Sequence, residues 1–223
     1  MTDIRILILL LTLCSCEQKP KKYFEGVIKY KQEYTLKSDQ LTYESAEQSF
    51  AKTIELYIKD CDNVHISTGG RIAEEWTIKT DSGVYIREHS SETYRYLPSK
   101  WNSLKDLSDW NAKNDRPKDS ALYILTQKKE TILGILCDEL IIKNKTGSVT
   151  FYFNNDTLNL CSDWYANNRL VWFNHFYVDK INSIYLKLTL ENKHWSSTRI
   201  ATSIEHKKLD PTFFQIPKDK IAQ

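Results

Sequence analysis

The sequence predicts a mainly β fold in which short helices accompany a single antiparallel sheet. Apolar and polar residues alternate with a period of two along most of the 223-residue chain, which is typical of strands with one buried face. Turn-forming residues separate these runs at short intervals, as an antiparallel meander requires. The chain has only six Gly and five Pro and shows no internal repeat, so we expect one domain.

The first predicted strand covers residues 24–34 and has one buried side. The side chains expected on that side are Phe24, Gly26, Ile28, Tyr30 and Tyr34. Residues 41–50 break the alternation, because Tyr43, Ala46 and Phe50 recur at intervals of three or four residues. This spacing predicts a short helix with an apolar stripe.

Alternation returns at residue 54, where Ile54, Leu56 and Ile58 share one face of a second strand. Four more short strands are predicted at residues 64–67, 75–80, 84–88 and 93–97. The segments between them are rich in Asp, Asn, Ser and Gly, which form tight turns. We expect residues 60–63 to form one such turn rather than a calcium site, because the loop is short and lacks a closing Glu.

A second helix is predicted after Pro98, with Ser99 placed to cap its start. Its apolar face consists of Trp101, Leu104, Leu107 and Trp110. After a polar loop at residues 111–119, strands are predicted at residues 122–128, 137–143, 148–153, 183–190 and 198–206. Residues 209–217 are expected to form an extended, apolar closing segment.

The N-terminus has the parts of a secretory signal: a short charged start, an apolar run over residues 6–13 and small residues before a cleavage point. The run is too short to span a membrane, which takes about 20 residues. Its ending, Leu13-Cys14-Ser15-Cys16, resembles the lipobox of bacterial lipoproteins, which implies that Cys16 becomes the diacylated first residue. We therefore predict a signal peptide at residues 1–15, a tether at 16–22 and one domain at 23–220.

Of the five cysteines, Cys61, Cys137 and Cys161 remain beyond the lipidation position. Outside the inner membrane the compartment is oxidising, so one disulfide is expected among the three. Pairing cannot be read from sequence alone. Cys137 with Cys161 is the preferred pair, because their segments resemble two arms of one hairpin region. A zinc site is disfavoured, since the chain has no Cys-x-x-Cys spacing.

The sequence offers little for catalysis, metal binding or nucleic-acid binding. A net charge of +2 with interspersed signs gives no basic field for nucleic acid. The five histidines fall in no ligand motif, and there is no Gly-x-Ser-x-Gly elbow or phosphate-binding glycine loop. We therefore expect no catalytic residues, no metal and no cofactor, and we expect that the protein is not an enzyme.

Aromatic residues are concentrated in residues 164–177. Four of them are candidates for contact with an apolar ligand: Trp164, Trp172, Phe173 and Phe176. One interpretation is that the stretch covers an open sheet and fills its core, since each aromatic side chain buries 150–250 Å². The other is that it lines an apolar cavity together with the Trp101–Trp110 face. Both can hold at once.

Several segments in order resemble periplasmic half-barrel proteins of the outer-membrane lipoprotein-carrier superfamily, especially its lipid-anchored branch of unknown function. They are Phe24-Glu25-Gly26-Val27-Ile28-Lys29-Tyr30, Leu56-Tyr57-Ile58-Lys59-Asp60, Ile132-Leu133-Gly134-Ile135-Leu136-Cys137 and Leu209-Asp210-Pro211-Thr212-Phe213-Phe214-Gln215-Ile216-Pro217. The resemblance implies a single curved antiparallel sheet, a half-open barrel, with short covering helices and an apolar concave face.

The resemblance also implies a location and a role. The expected location is the cell envelope of a Gram-negative type of bacterium, where the protein is anchored through its N-terminal lipid. The expected role is binding of a lipid or acyl chain in the concave face. The alternative is an envelope interaction or structural lipoprotein with a filled core and no small ligand. The sequence does not identify a protein partner.

Overall fold

The computed structural model of the chain describes residues 23–39, 42, 51–60, 62–69, 74–80, 83–88, 91–98, 122–143, 145–160, 181 and 183–222. Strands dominate this part of the chain, as the period-two alternation predicts. They are β1 (Gly26–Leu36), β2 (Thr53–Lys59), β3 (Asp62–Thr68), β4 (Glu74–Thr80), β5 (Gly83–Glu88), β6 (Tyr94–Pro98), β7 (Leu122–Ile132), β8 (Ile135–Lys143), β9 (Gly147–Phe153), β10 (Tyr185–Asn192), β11 (Trp195–His206) and β12 (Ile221–Ala222).

All of these strands belong to one sheet. Their order is β12-β6-β5-β4-β3-β2-β1-β11-β10-β9-β8-β7. Neighbours run antiparallel, except that β12 lies parallel to β6. Within the described part of the chain the two edge strands, β7 and β12, do not pair with each other, so the sheet remains open. The predicted fold class, a mainly β protein with a half-open antiparallel sheet, is confirmed.

The pairing of β1 with β11 joins the two halves of the sheet. It extends over the whole of β1, with Gly26 opposite His206 and Leu36 opposite Trp195. A β-bulge interrupts the register between Lys29 and Tyr30. Bulges bend the strand and increase its twist, which helps a wide sheet to curl. In the strand order, the meander β2–β6 lies on one side of this β1–β11 pair, and β7–β10 lie on the other.

Two hairpin turns show how local sequence sets the strand connections. Asp60 lies between β2 and β3 with φ of 53°, a left-handed conformation that Asp tolerates. Leu133 and Gly134 connect β7 to β8 with φ of 52° and 79°. Positive φ at both central residues defines a type I′ turn, whose twist matches that of the flanking strands.

Buried apolar side chains form two cores. The large core consists of Phe24, Ile28, Tyr30, Ile54, Leu56, Ile58, Ile132, Cys137, Leu140, Ile142, Val149, Phe151, Tyr152, Phe153, Leu158, Leu160, Ile181, Ile184, Tyr185, Leu186, Leu188 and Ala201. The small core consists of Val27, Val64, Ile78, Tyr94, Leu209 and Phe214. The two cores meet at β1, because adjacent residues of a strand point to opposite faces.

The prediction that β1 has one buried side is wrong for its first half. Val27 is 2% exposed although it points away from Ile28, which is fully buried. The reason is that the C-terminal segment packs on the Val27 side of the sheet, where Leu209 and Phe214 complete the small core. The alternation in sequence could not show this, because Glu25 and Lys29, the residues on either side of Val27 on that face of the strand, are charged.

The C-terminal segment is also less extended than predicted. Pro211–Phe214 and Lys218–Lys220 form 3₁₀ helices. The first begins where the Asp210 carboxylate accepts a hydrogen bond from the Thr212 backbone N–H at 2.9 Å. Pro211 follows with a fixed φ that suits the first position of a helix. The segment then ends in β12, which pairs with β6 at the edge of the sheet.

Other predictions fall outside the described residues. The helices predicted at residues 41–50 and 99–110 lie there, apart from Thr42. So do the signal peptide at residues 1–15 and the tether at residues 16–22. The domain boundaries therefore remain predictions.

Candidate functional site

The residues predicted to contact an apolar ligand lie outside the described part of the chain. They are Trp101, Leu104, Leu107, Trp110, Trp164, Trp172, Phe173 and Phe176. Cys16 and Cys161 lie outside it as well, so lipidation and the Cys137–Cys161 disulfide remain predictions.

Cys137 is the one predicted site residue that the structure describes. It is a free cysteine with no exposed surface, and its Sγ donates to the Ile135 carbonyl at 3.5 Å. Burial, together with the carboxylates of Glu130 and Asp138, raises the pKa of the thiol to about 11. The thiolate is the reactive form of cysteine, so we expect the reduced thiol of Cys137 to react more slowly at neutral pH than an exposed thiol does.

A row of residues in register across five strands contains a charge among apolar side chains. Leu140 of β8 lies opposite Phe151 of β9, which lies opposite Leu188 of β10. Leu188 in turn lies opposite Arg199 of β11, whose partner in β1 is Gln32. We call the side of the sheet that carries this row the Arg199 face. The three apolar members are at most 6% exposed, and Arg199 is partly buried.

Arg199 is held in place by two neutral side chains. Its Nε and Nη2 donate to the Gln32 Oε1 at 3.2 and 3.1 Å. Its Nη1 donates to the Tyr185 hydroxyl at 2.7 Å. Gln32 is fixed from its other end, because its Nε2 donates to the hydroxyl of Ser197, a residue that is 3% exposed. The guanidinium therefore has a defined orientation on the sheet.

Aromatic packing positions the Tyr185 side of this network. The Tyr30 hydroxyl donates to the Tyr185 carbonyl at 2.8 Å, and the two rings lie 5.5 Å apart. The Phe151 ring meets the Tyr185 ring edge-on at 5.9 Å. Tilted and edge-to-face pairs at these distances are favourable beyond the area they bury. The hydroxyl of Tyr185 is thus presented to Arg199 by a rigid aromatic cluster.

No carboxylate among the described residues balances the charge of Arg199. Several other cations of the sheet have such a partner: Lys187 Nζ lies 2.8 Å from both carboxylate oxygens of Glu130, and Lys59 Nζ lies 2.8 Å from Glu25. An arginine side chain stays charged at physiological pH. A charge on an apolar face with only neutral partners is unusual, because burial of an uncompensated charge is costly.

A cleft of about 790 Å³ adjoins this network where β2 begins. On the β2 side, β1 is paired from Gly26 to Lys31, whereas on the β11 side it is paired through Leu36. The cleft lies at this notch, and residues from both faces of β1 line it. The lining consists of Lys29, Tyr30, Lys31, Gln32, Glu33, Tyr34, Lys52, Thr53, Ile54, Glu55 and Thr202. Gln32 therefore contacts both the cleft and Arg199.

A second polar cluster surrounds Glu139, which is 5% exposed on β8. Tyr152 donates a short hydrogen bond to its carboxylate, Thr126 donates another at 3.0 Å, and Lys128 lies 3.4 Å away. Burial acts to raise the pKa of Glu139, but these hydrogen bonds outweigh it and lower the pKa below its usual value. The carboxylate is thus ionised and already satisfied, so we assign this cluster a structural role.

Among the described residues, no group of three or more His, Cys, Asp or Glu side chains is placed to hold a metal ion. No helix in that part of the chain has the length and hydropathy needed to cross a membrane.

No protein-family model and no curated protein sequence matches the chain. Solved structures do resemble it. PNGF-II has a TM-score of 0.37 and 9% identity. The match covers 85% of this chain but only 29% of the PNGF-II chain. Lipoprotein LppX of Mycobacterium tuberculosis has a TM-score of 0.37 and 8% identity, covering 83% of this chain and 89% of its own. A Vibrio parahaemolyticus domain described as an outer membrane lipoprotein-sorting protein domain has a TM-score of 0.33 and 8% identity. That match covers 85% of this chain and 89% of the Vibrio domain.

At these TM-scores and identities, the likenesses carry no argument about what the chain does. The strand order itself defines the chain as a half-open antiparallel β-sheet protein. This is the architecture that the sequence resemblance to the lipoprotein-carrier superfamily implies.

Proposed function

We propose that the protein is a non-enzymatic lipoprotein of the cell envelope that binds an apolar ligand, such as an acyl chain, beside the Arg199 face. The anchor is a diacylated Cys16, and the support for it is the sequence Leu13-Cys14-Ser15-Cys16 after a short apolar run. In this arrangement the lipid holds the protein at a membrane, and the sheet is the binding module.

The observation that carries the ligand proposal is the cleft at the start of β2. Its volume of about 790 Å³ lies within the range of small-molecule sites, roughly 300–1,000 Å³. Its lining includes the half-buried Tyr34, together with Tyr30 and Ile54, which are each 2% exposed. Each CH₂ group that leaves water contributes about 0.8 kcal/mol, so a partly enclosed acyl chain binds measurably. The predicted contacts from Trp101–Trp110 and residues 164–177 would extend this surface.

A second candidate function is an interaction or structural lipoprotein without a small ligand. The observation that favours it is the dense packing of the large core, in which Ile28, Phe151 and Leu186 have no exposed surface. Protein cores are close-packed, with few voids larger than a water molecule, so we expect no ligand between these side chains. The two candidates therefore differ in whether the cleft is occupied.

Native mass spectrometry of the mature protein, purified from its own host, tests the ligand proposal. We expect a species whose extra mass, beyond the N-terminal modification, matches a lipid. Saturable uptake of a fluorescent fatty acid should accompany it, and Trp172→Ala or Leu104→Asp should weaken that uptake. Absence of any bound lipid and of saturable uptake would favour the interaction protein instead.

The anchor is tested separately by labelling with a radioactive fatty acid in the host. Cys16→Ala should give an uncleaved precursor without label. Cys14→Ala is the matched control, because it removes a cysteine of the same signal but leaves the modified position intact. Incorporation of label into the Cys16→Ala protein would refute the assignment.

A further inference from the structure

We propose that the ligand of the cleft carries an anionic head group and that Arg199 binds its oxygens. This inference rests on the proposed function and deepens it from an apolar ligand to an anionic amphiphile. The shared chemistry is an acidic oxygen group, either a carboxylate or a phosphate monoester, on a single alkyl chain.

The first support is the hydrogen-bonding capacity of Arg199. A guanidinium has five N–H donors. Three of them are used, two on Gln32 and one on Tyr185. The two that remain have no acceptor among the described residues. Two N–H groups of one guanidinium can bind two oxygens of a carboxylate or phosphate, which makes arginine the preferred side chain for such groups.

The second support is charge. The partners of Arg199 are an amide oxygen and a hydroxyl, and neither neutralises it. The side chain is partly buried in a row with Leu188 and Phe151, so solvent screens the charge incompletely. An anion that binds there removes an uncompensated charge from an apolar surface, which makes binding more favourable than at an exposed arginine.

The third support is position. Gln32 accepts from Arg199 and also lines the cleft, so a head group at Arg199 leaves its chain beside the apolar residues of the cleft. Lys29 and Lys31 also line the cleft, but each forms a salt bridge. Lys29 Nζ lies 2.8 Å from the Glu55 carboxylate, and Lys31 Nζ lies 2.5 Å from that of Glu33. They are therefore weaker candidates for binding the head group than Arg199.

The experiment uses the mature lipidated protein in nanodiscs and a photoreactive fatty acid whose covalent attachment to the protein is measured. Hexadecanoate, hexadecyl phosphate and hexadecanol compete for labelling at equal concentration in the nanodisc. In wild-type protein, at least one of the two anions should compete at a concentration about tenfold or more below that of the alcohol. A difference of this size is what hydrogen bonds to a charged group contribute to binding. The better anion identifies whether the head group is a carboxylate or a phosphate.

Two variants test the role of Arg199. Arg199→Gln should reduce the ratio of competition by the anion to competition by the alcohol to nearly one. Gln32→Glu should do the same while it keeps Arg199, because it places a carboxylate of the protein where the amide now accepts. Arg95→Gln is the matched control, since it removes an exposed arginine of the same sheet and should leave the preference unchanged. Thermal unfolding of each variant establishes that it is folded.

The outcomes separate the two proposals. Saturable labelling with equal competition by anions and alcohol would overturn the anionic head group and leave the apolar ligand standing. A preference that persists in folded Gln32→Glu protein would also overturn the role of Arg199. Absence of saturable labelling by the photoreactive fatty acid overturns both proposals.

Discussion

Val27 and Ile28 are consecutive residues of β1 that point to opposite faces of the sheet, and both are buried. Val27 belongs to the small core and Ile28 to the large core. The first half of β1 is therefore covered on both sides, whereas strands of antiparallel sheets commonly have one solvated face. It is the place where the two cores are joined through a single strand.

Register explains how the small core forms. Val27, Tyr57, Val64, Ile78 and Tyr85 lie opposite one another across β1 to β5. The C-terminal segment lies over this row, and the Phe213 ring is 4.7 Å from the ring of Tyr57. The segment thus shields an apolar row that would otherwise face water, and it then continues into β12 at the edge.

The first prediction concerns this packing. Phe214 is 4% exposed in the small core, so Phe214→Ala should lower the free energy of unfolding by about 3–5 kcal/mol through lost burial and the remaining cavity. The measurement is urea unfolding monitored by circular dichroism. Gln215→Ala, at the exposed neighbouring residue, is the control and should change the stability by no more than about 0.5 kcal/mol. Equal effects of the two substitutions would mean that the segment is not docked.

Much of the sheet was predictable from sequence because its strands alternate and its turns are short. The alternation of Ile54, Leu56 and Ile58 predicts β2, and all three are buried. The boundaries were less accurate. The bend that Leu133 and Gly134 make in the chain allows β7 to continue to Ile132 and β8 to start at Ile135. Residue 133 is a leucine, which does not signal a turn.

The Arg199 network could not be predicted from sequence. Arg199 and Gln32 are separated by 167 residues, and only the register of β1 with β11 brings them together. That register depends on the bulge after Lys29, and a shift by one residue would move Gln32 to the other face. The polar residues of β11 do not indicate the contact between Arg199 and Gln32, because the same residues are typical of a strand face exposed to solvent.

The second prediction concerns Cys137. Because the thiol is buried and its pKa is raised to about 11, reduced and folded protein should react with maleimide at Cys137 far more slowly than an exposed thiol does. Leu136→Cys in a Cys137→Ser background is the control, since Leu136 is 54% exposed. Peptide mass spectrometry measures the labelling. Fast labelling of Cys137 in the folded protein would contradict its burial.

The same assay tests the predicted Cys137–Cys161 disulfide. Protein that is unfolded without reductant should then be labelled at Cys61 and protected at Cys137, because the bridge survives unfolding. Labelling at Cys137 under these conditions would reject the pairing.

The third prediction concerns the attachment of the C-terminal segment at low pH. The Glu25 carboxylate accepts from Lys59 Nζ at 2.8 Å and from the Leu209 backbone N–H at 2.9 Å. These hydrogen bonds, that of Lys59 first, lower the pKa of Glu25 below its usual value. Glu25 therefore links the start of the sheet to the start of the C-terminal segment, and the link requires an ionised carboxylate.

A carboxyl group with a lowered pKa stabilises the fold above its unfolded pKa, near 4.3 for Glu, and that stabilisation is lost as the pH falls through the folded pKa. Hydrogen exchange of residues 209–217 should therefore accelerate below about pH 4, after correction for intrinsic rates. In Glu25→Gln protein the exchange should already be faster at pH 7 and should change less on acidification. Glu33→Gln removes another lysine-paired carboxylate, on the second half of β1, and should leave the exchange of the segment as in the wild type. If Glu25→Gln and wild-type protein respond to acid alike, Glu25 does not hold the segment.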